Sequence, residues 1–332
     1  MHVSLNIIDK YVPLIEKQIK QIPLGEEPAS LYGPCRYILG NGGKRIRPVL
    51  TLLGAGLCGG SMERAIPAAL SVELIHNFTL VHDDIMDEAD SRRGKPSIHK
   101  KWSMPVAILA GDLLYAEAFR QLLSYGEDED IAKGDFSRLY ETLLDSIQTV
   151  CEGQAMDMDF ETIDDVTTGQ YLEMIEGKTS ALISGALVMG AIVAAGSRQQ
   201  VDSLKKLGKE LGMAFQIQDD LLDVVADPEK FGKTKAGDIR EGKKTYLLLL
   251  AQERCNEIQR NELQRLIASK QMSDSDVDRV IAIFEETDAI RLTQQKVNKY
   301  YQNVLVLLEP FDDSVYKEDL VSLMNFLKNR DF

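Results

Sequence analysis

Apolar residues recur at intervals of three and four along most of this chain, the spacing of one face of an α-helix. The N-terminal stretch follows it with Ile8, Val12, Ile15 and Ile19. Four longer windows do the same: SMERAIPAALSVELIHNFTLVHDDIMD, VAILAGDLLYAEAFRQLLS, SRLYETLLDSIQTVCEGQ and VDSLKKLGKELGMAFQIQDDLLDVV. Runs of β-branched residues bounded by turns are scarce. The pattern predicts an all-α fold.

Clusters of glycine, proline and charge interrupt the helical pattern where turns between helices are expected. They read GNGGKRIRP, CGGS, DSRRGKP, YGEDEDIAKGD and DPEKFGKTKAGD. No segment has the composition of an interdomain linker, and 332 residues with 44% hydrophobic content can bury one large core. We therefore predict a single domain over residues 1–332 with ten or more helices. The acidic run from Glu127 to Asp130 is predicted to be a solvated loop.

One stretch without charge, TSALISGALVMGAIVAAGS from Thr179 to Ser197, just reaches the length of a membrane span, about 18 residues. It is rich in Ala, Gly and Ser, and no second such segment exists. A helix buried on all sides of a large α-protein fits this composition better. We expect a soluble protein without stable membrane insertion.

The overall charge and the cysteines narrow the functional classes. A formal net charge of −14 disfavours non-specific binding to nucleic acid, so no nucleic-acid partner is expected. The four cysteines are scattered and form no C-x-x-C pair, which is typical of buried or idle thiols in a reducing cytosol. A cytoplasmic location is predicted.

A first acidic cluster places Asp83, Asp84 and Asp87 at positions i, i+1 and i+4 of a predicted helix. Like charges at this spacing destabilise a helix unless a cation lies between them. Hard oxygen ligands suit Mg²⁺, which typically takes one or two carboxylates together with substrate phosphates. A solvated acidic face is the alternative for this motif alone.

A second cluster repeats the pattern, because Asp219, Asp220 and Asp223 have the same spacing 136 positions later (219 − 83). Facing helices of a bundle are a usual place for metal sites built from such residues. Two clusters in one chain therefore indicate magnesium.

Basic residues gather near both clusters and after a glycine turn. They are Lys44, Arg45 and Arg47, then Arg92 and Arg93, and finally Lys233, Lys235, Lys243 and Lys244. One cluster alone would be interpreted as a surface charge run. Three of them, two directly downstream of magnesium-type carboxylates, indicate a pocket for diphosphates.

The chain resembles the trans-prenyltransferases, the head-to-tail polyprenyl diphosphate synthases, along nearly its whole length. The motifs that carry the resemblance occur in order: GGKRIRP, HNFTLVHDDIMDEADSRRGKP, GDLL, GQAMDMDFE, GKTSALI, FQIQDDLLDVVAD, FGKTKAGD and GKKTY. The resemblance implies an all-α bundle around a central cavity, usually a homodimer. It also implies Mg²⁺ and two substrates, isopentenyl diphosphate and an allylic diphosphate.

The same resemblance assigns site residues. The metal ligands would be Asp83, Asp84, Asp87, Asp219, Asp220 and Asp223. Contacts to the allylic diphosphate would come from Arg92, Lys178, Lys233 and Lys243. The metal-free site for isopentenyl diphosphate would contain Lys44, Arg47, His76 and Arg93. Groups near the developing carbocation would be Lys178, Thr179 and Gln216.

The implied reaction is 1′-4 prenyl transfer that lengthens the chain by five carbons, with C20 or C15 as product. Phe78 and Thr79 precede Asp83 by five and four positions, an arrangement that resembles the C20-forming pattern of the family. Alternatives are a class I terpene cyclase and a longer-chain synthase. The second DDxxD motif and GGKRIRP argue against the cyclase.

Overall fold

The computed structural model describes residues 5–225, 236–269 and 272–329, and the side chains from residue 7 onward. The helices of the first half are α1 (Leu5–Ile19), α2 (Ala29–Leu39), α3 (Ile46–Leu57), α4 (Met62–Met86), α5 (Ile98–Lys101), α6 (Met104–Leu122) and α7 (Lys133–Thr162). Those that follow are α8 (Thr168–Ile175), α9 (Ala181–Val193), α10 (Arg198–Val225), α11 (Gly237–Arg240), α12 (Tyr246–Arg254), α13 (Glu257–Ile267), α14 (Asp274–Glu286), α15 (Ala289–Leu308) and α16 (Val315–Lys328). The prediction of an all-α fold is confirmed.

Besides a short 3₁₀ helix, Leu123–Gly126, the described part of the chain has a hairpin and a π-helical turn that lie beside residues of interest. A small antiparallel hairpin pairs β1 (Ser91–Arg92) with β2 (Lys95–Pro96) just after the first acidic cluster. A π-helical turn, Glu176–Ser180, joins α8 to α9. Such turns are rare and occur frequently at functional sites.

The described residues fall into two compact units, each drawn from separate stretches of the chain. Unit 1 takes its residues from Met1–Ile147, Leu182–Lys205 and Pro310–Leu323. Unit 2 takes its residues from Gln148–Ala181, Lys206–Glu309 and Met324–Phe332. A single domain over residues 1–332 stays a prediction.

Side chains cap several helices and accept hydrogen bonds from N–H groups that have no partner within the first turn of the helix. At the start of α8 the Thr167 hydroxyl accepts a hydrogen bond from the Gln170 N–H at 3.2 Å, and the Gln170 side chain accepts from the Thr167 N–H at 2.9 Å. Asn256 and Gln259 form the same capping box at α13. The first of these caps fixes the start of the helix that leads into the π-helical turn.

The predicted burial of the uncharged stretch is confirmed in unit 1. A Cβ atom added at Gly54 on α3 would lie 2.5 Å from the carbonyl oxygen of Leu187 on α9, and one at Gly190 would lie 2.1 Å from that of Thr51. The two helices therefore touch backbone to backbone, which only small residues allow. Thr168–Val193 is long and apolar enough to cross a bilayer, but 83% of its most apolar window is buried inside the protein.

Two local predictions are also confirmed. The N-terminal amphipathic helix is α1, although its fully buried stripe follows a strict four-residue spacing, namely Ile7, Tyr11, Ile15 and Ile19. The acidic run lies in an exposed loop, where Asp128 forms an ion pair with Arg64 at 3.0 Å.

Candidate active site

The first acidic cluster lies at the C-terminal end of α4 in unit 1. Asp83 is half-buried in the last turn, and Asp87 is the exposed residue that follows the helix. Asp84 between them is only 2% exposed. The cluster therefore consists of two accessible carboxylates and one that faces the protein interior.

Asp84 is held by a cation from the neighbouring hairpin. The Arg92 side chain on β1 donates from Nε to Oδ1 of Asp84 at 2.5 Å. Burial raises the pKa of the Asp84 carboxyl, and the charge and hydrogen bond of Arg92 oppose that rise. The structure thus pairs two residues that the sequence assigned to a metal and to a diphosphate.

Arg47 and His76, both assigned to isopentenyl diphosphate, contact each other in unit 1. Nη1 of Arg47 lies 3.2 Å from Nε2 of His76. Burial holds the pKa of His76 well below its ordinary value, and the positive charges of Arg47 and Arg93 lower it further. The imidazole is therefore neutral and accepts the Arg47 hydrogen bond. Burial also lowers the pKa of Arg47 to about 10.

Arg93 lies against the glycine turn that precedes α3. Its guanidinium donates to the carbonyl oxygen of Gly42, and a Cβ atom at Gly43 would lie 2.6 Å from its Nη1 atom. Gly43 has φ +140°, a backbone conformation that residues with a side chain rarely adopt. Lys44 follows this turn and is exposed. The turn thus brings Arg93 close to the basic segment that contains Lys44 and Arg47.

The low pKa of His76 makes the stability of the protein depend on pH. Histidine in the unfolded chain takes up a proton near pH 6.5, and His76 in the folded protein does not. The contribution of neutral His76 to the free energy of unfolding is therefore fully present above this pH. As the pH falls below about 6.5, the free energy of unfolding should decrease by up to ~1.4 kcal/mol per pH unit. Urea unfolding at pH 7.5 and 5.5 measures the loss, which should be smaller in His76→Gln. Equal losses in the two proteins would contradict the assignment of a neutral imidazole.

Phe78, the predicted chain-length residue, belongs to a group of aromatic side chains in unit 1. Its ring meets His82 edge-on with centroids 4.7 Å apart, and Tyr115 of α6 at 5.3 Å. The Thr79 hydroxyl donates to the carbonyl oxygen of His76 at 2.9 Å. Phe78 is therefore backed by a second aromatic ring, and Thr79 is tied to its own helix.

The second acidic cluster lies in the last turns of α10 in unit 2 and repeats the division of the first. Asp219 and Asp223 are half-buried, whereas Asp220 is 2% exposed. The Tyr171 hydroxyl donates to Oδ2 of Asp220, and Nε2 of Gln216 donates to Oδ1 at 3.1 Å. Burial raises the pKa of Asp220 to about 7, although both hydrogen bonds oppose it.

Asp223 accepts two hydrogen bonds from the segment that follows the end of α10. Its Oδ2 atom accepts from the backbone N–H of Asp238 at 3.0 Å, and its carbonyl oxygen accepts from the N–H of Ala236 at 3.1 Å. Lys243, predicted for the diphosphate, is exposed and lies 4.0 Å from Oδ1 of Asp238. Lys233 lies outside the described residues. Asp223 thus ties the end of α10 to the segment that carries Lys243.

The three residues predicted near the carbocation are together in unit 2. Lys178 and Thr179 lie on the π-helical turn. The Thr179 hydroxyl donates to Oε1 of Gln216 at 2.9 Å, and the same Gln216 side chain donates to Asp220. Nζ of Lys178 lies 2.6 Å from Oδ2 of Asp157. A continuous hydrogen-bonded chain therefore links Thr179 to the second acidic cluster.

Sequence reasoning missed three residues of these networks. Tyr171 precedes Lys178 by seven positions in an ordinary helical stretch and carries no signal. Asp157 lies in GQAMDMDFE, which supported the resemblance without receiving a role, and Asp238 lies in the segment FGKTKAGD. Each would have needed knowledge of a contact between distant parts of the chain.

The carboxylates offer the hard oxygen donors that Mg²⁺ prefers. In the described part of the chain, no three side chains of His, Cys, Asp or Glu are already grouped as a metal site. Mg²⁺ bound through substrate phosphates needs only one or two carboxylates from the protein. The donor set fits this ion, and the six assigned ligands stay a prediction.

The chain is similar to known proteins over nearly its whole length. The sequence profile described as polyprenyl synthetase matches residues 28–284. The chain is 37% identical to a short chain isoprenyl diphosphate synthase of Methanothermobacter thermautotrophicus, covering 98% of both chains. It is 33% identical to a geranylfarnesyl diphosphate synthase of Natronomonas pharaonis, covering 100% of this chain and 98% of the relative. The structure of a geranylgeranyl pyrophosphate synthetase from Pyrococcus horikoshii matches with a TM-score of 0.92 at 35% identity, covering 99% and 98% of the two chains.

Proposed function

This chain belongs to the polyprenyl synthetase family and is a prenyltransferase, and we propose that it condenses isopentenyl diphosphate with an allylic diphosphate. The product would be a trans-polyprenyl diphosphate made by head-to-tail 1′-4 transfer. One observation carries the proposal. Each acidic cluster lies at the end of a long helix. Its middle aspartate is buried and hydrogen-bonded to another side chain, while its outer aspartates are more accessible.

Mg²⁺ is the proposed cofactor. Each acidic cluster would bind Mg²⁺ chiefly through its outer carboxylates, which are Asp83 and Asp87 in the first cluster and Asp219 in the second. When bound, Mg²⁺ would neutralise charge on the allylic diphosphate and so assist departure of this group. Asp84 and Asp220 would act mainly by keeping the ends of α4 and α10 in place, because their oxygens already accept hydrogen bonds.

The cations of the chain divide between the two substrates. Arg92, Lys178, Lys233 and Lys243 would bind the allylic diphosphate. Lys44, Arg47, His76 and Arg93 would bind isopentenyl diphosphate without metal. Because His76 is neutral, its role would be to orient the Arg47 guanidinium rather than to add a charge. A fixed guanidinium matches the oxygens of a phosphate well.

The reaction itself would begin with cleavage of the C–O bond of the allylic diphosphate to give a carbocation. Oxygen dipoles of Thr179 and Gln216, already fixed by their mutual hydrogen bond, would stabilise the positive charge as it develops. The double bond of isopentenyl diphosphate attacks this cation, and a proton then leaves to the departing diphosphate. The new chain is five carbons longer.

The proposed product is C20. The names of the relatives, geranylgeranyl and geranylfarnesyl diphosphate synthases, favour C20 or longer over C15. Phe78 would close the space available to the growing chain, with Thr79 beside it. A class I terpene cyclase is not favoured, because both acidic motifs and the GGKRIRP segment of a two-substrate enzyme are present.

Phe78→Ala should lengthen the product beyond C20. Removal of this ring opens space in front of Tyr115, which lies 5.3 Å behind it and then limits the chain. Mass spectrometry of products from Phe78→Ala and from Phe78→Ala/Tyr115→Ala measures the effect, with the double variant giving the longer chains. Phe136→Ala is the control and should keep the wild-type product, because Phe136 follows Tyr115 in the same row of ring contacts, after Phe119 and Tyr140, and Phe78 is unchanged. An unchanged product in both Phe78 variants would show that another residue sets the length.

We also propose a cytoplasmic homodimer. Helix α6 carries three large apolar side chains that are about half exposed: Met104 at 53%, Ile108 at 42% and Leu109 at 57%. Apolar side chains grouped on the exposed side of one helix are typical of a surface covered by another protein chain. A second copy of this chain would cover them.

Product analysis tests the function directly. Purified protein would be incubated with isopentenyl diphosphate and a C5, C10 or C15 allylic diphosphate, with Mg²⁺ or with EDTA. We expect elongation to C20 with Mg²⁺ and none with EDTA. Cyclic hydrocarbons formed from an allylic diphosphate alone would support the cyclase. No elongation from any primer by the folded protein would overturn the proposal.

A further inference from the structure

The motif GQAMDMDFE on α7 has no role in the function proposed so far, yet it contacts a residue assigned to catalysis. Gly153 and Asp157 are four positions apart in this motif, so they lie one turn apart on the same face of the helix. Both belong to unit 2, as does the π-helical turn with Lys178. Both contact Lys178, at opposite ends of the residue.

Asp157 contacts the side-chain end of Lys178. Nζ of Lys178 lies 2.6 Å from Oδ2 of Asp157, and the side chains of Lys178 and Asp157 are only 24% and 22% exposed. A lysine side chain has four rotatable bonds and several accessible rotamers when it is unpaired. The ion pair restricts the ammonium to one position.

Gly153 contacts the backbone end of Lys178. A Cβ atom at Gly153 would lie 2.2 Å from the Lys178 nitrogen and 2.7 Å from the carbonyl carbon of Gly177. Gly177 is equally constrained, since a Cβ atom there would lie 2.9 Å from the carbonyl oxygen of Thr149 on α7. The π-helical turn and α7 therefore touch backbone to backbone, and any side chain at Gly153 would push the turn away.

A second helix meets the turn from another direction. A Cβ atom at Gly212 on α10 would lie 2.5 Å from the Cα atom of Ser180, the last residue of the turn. Contacts with α7 and α10 thus determine the place of Lys178 and Thr179 within unit 2. Thr179 also keeps its hydrogen bond to Gln216 of α10.

We propose that Gly153 and Asp157 are positioning residues for Lys178. Gly153 positions the backbone of Lys178, and Asp157 positions the ammonium group of Lys178. The inference rests on the proposed function, in which Lys178 acts on the allylic diphosphate beside the developing cation. Without Asp157, the ammonium would be free to pair with the bound diphosphate in other positions. The substrate would then still bind, but the geometry for reaction would be lost.

The first test is Asp157→Asn, with Asp159→Asn as its matched control. The control makes the same chemical change two residues further along α7, at an exposed side chain on a different face. Two quantities are measured with Mg²⁺ present: kcat, and the Kd of an unreactive thiolo-diphosphate analogue of the allylic substrate by calorimetry. For Asp157→Asn we expect kcat to fall roughly 10- to 100-fold and Kd to stay equal or become tighter. Asp159→Asn should match the wild type in both.

The second test is Gly153→Ala, with Gly54→Ala as its matched control. Both substitutions place a methyl group against the backbone of a neighbouring helix, but Gly54 faces Leu187 in unit 1, away from any assigned site residue. Both should lower the melting temperature, because overpacking strains the backbone. Only Gly153→Ala should lower kcat at a temperature where both proteins are folded.

The outcomes separate this inference from the proposed function. If the wild type does not elongate any primer, the proposed function itself fails. If the wild type is active and Asp157→Asn keeps wild-type kcat, or loses kcat only together with analogue affinity and melting temperature, the positioning role is wrong. If Gly153→Ala does not fold, the comparison of Asp157→Asn with Asp159→Asn decides.

Discussion

Replacement of Asp83 or of Asp219 by alanine is expected to lower kcat by roughly two to four orders of magnitude while the fold stays intact. Each is a half-buried outer member of its acidic cluster, assigned to bind Mg²⁺ rather than to hold the helix end in place. Loss of either removes a carboxylate that would hold the metal against the leaving diphosphate. Steady-state turnover with Mg²⁺ and the melting temperature are the two measurements.

Asp202→Ala is the control for this experiment. Asp202 lies on α10 with Asp219, but near the other end of the helix, and its side chain is 60% exposed. Its replacement should leave turnover at the wild-type level. Near-normal kcat in Asp83→Ala and Asp219→Ala would refute the metal assignment, and a large loss of melting temperature would show that these carboxylates are structural.

Arg45→Met is expected to lower the free energy of unfolding by about 3–5 kcal/mol, the usual cost of removing one partner of a buried ion pair. The Arg45 side chain is fully buried, and its Nη1 atom lies 2.5 Å from Oε1 of Glu73, whose side chain is 2% exposed. Nε also contacts Glu16 at 2.7 Å, and Nη2 donates to the carbonyl oxygen of Leu39. Without the guanidinium, the carboxylate of Glu73 stays buried with Asn77 as its remaining hydrogen-bond donor.

Urea unfolding at pH 7.5 measures this loss. Two further variants test whether it arises from the uncompensated buried charge of Glu73. Arg45→Met/Glu73→Gln should regain a large part of the stability, because no uncompensated charge is then buried. Arg279→Met removes an arginine from an exposed network with Glu262 and Glu286, so it should cost far less. Equal losses in Arg45→Met and Arg279→Met would mean that the buried pair has no special weight.

The segment GGKRIRP illustrates how far sequence reasoning reaches. Its glycines and cations predicted a phosphate site, and three neighbouring cations were interpreted together. In the structure Lys44 is exposed, Arg45 is buried against Glu73, and Arg47 contacts His76. Arg45 has a left-handed backbone, at φ +46°, which residues other than glycine rarely adopt, and its side chain pairs with Glu16 and Glu73. Periodicity cannot reveal a single residue with this conformation.

The two acidic clusters also differ in part from what their spacing predicts. Spacing alone placed each set of three aspartates on one helix; in the structure the second set lies on α10, whereas Asp87 of the first set directly follows the last residue of α4. Spacing alone does not show that the middle aspartate of each set is buried and bonded to another element, Asp84 to Arg92 and Asp220 to Tyr171. These partners lie 8 and 49 positions away along the chain.

The sequence by itself determined that the chain is helical, where its helices carry metal-type and phosphate-type side chains, and the family to which these motifs belong. It could do so because helical periodicity and motif spacing are local properties, readable over a few turns. Only the tertiary structure decided which carboxylates are accessible, that His76 is neutral beside Arg47, and that Asp157 and Gly153 meet Lys178. Burial and pKa depend on what other helices bring into contact, and that information is spread over the whole chain.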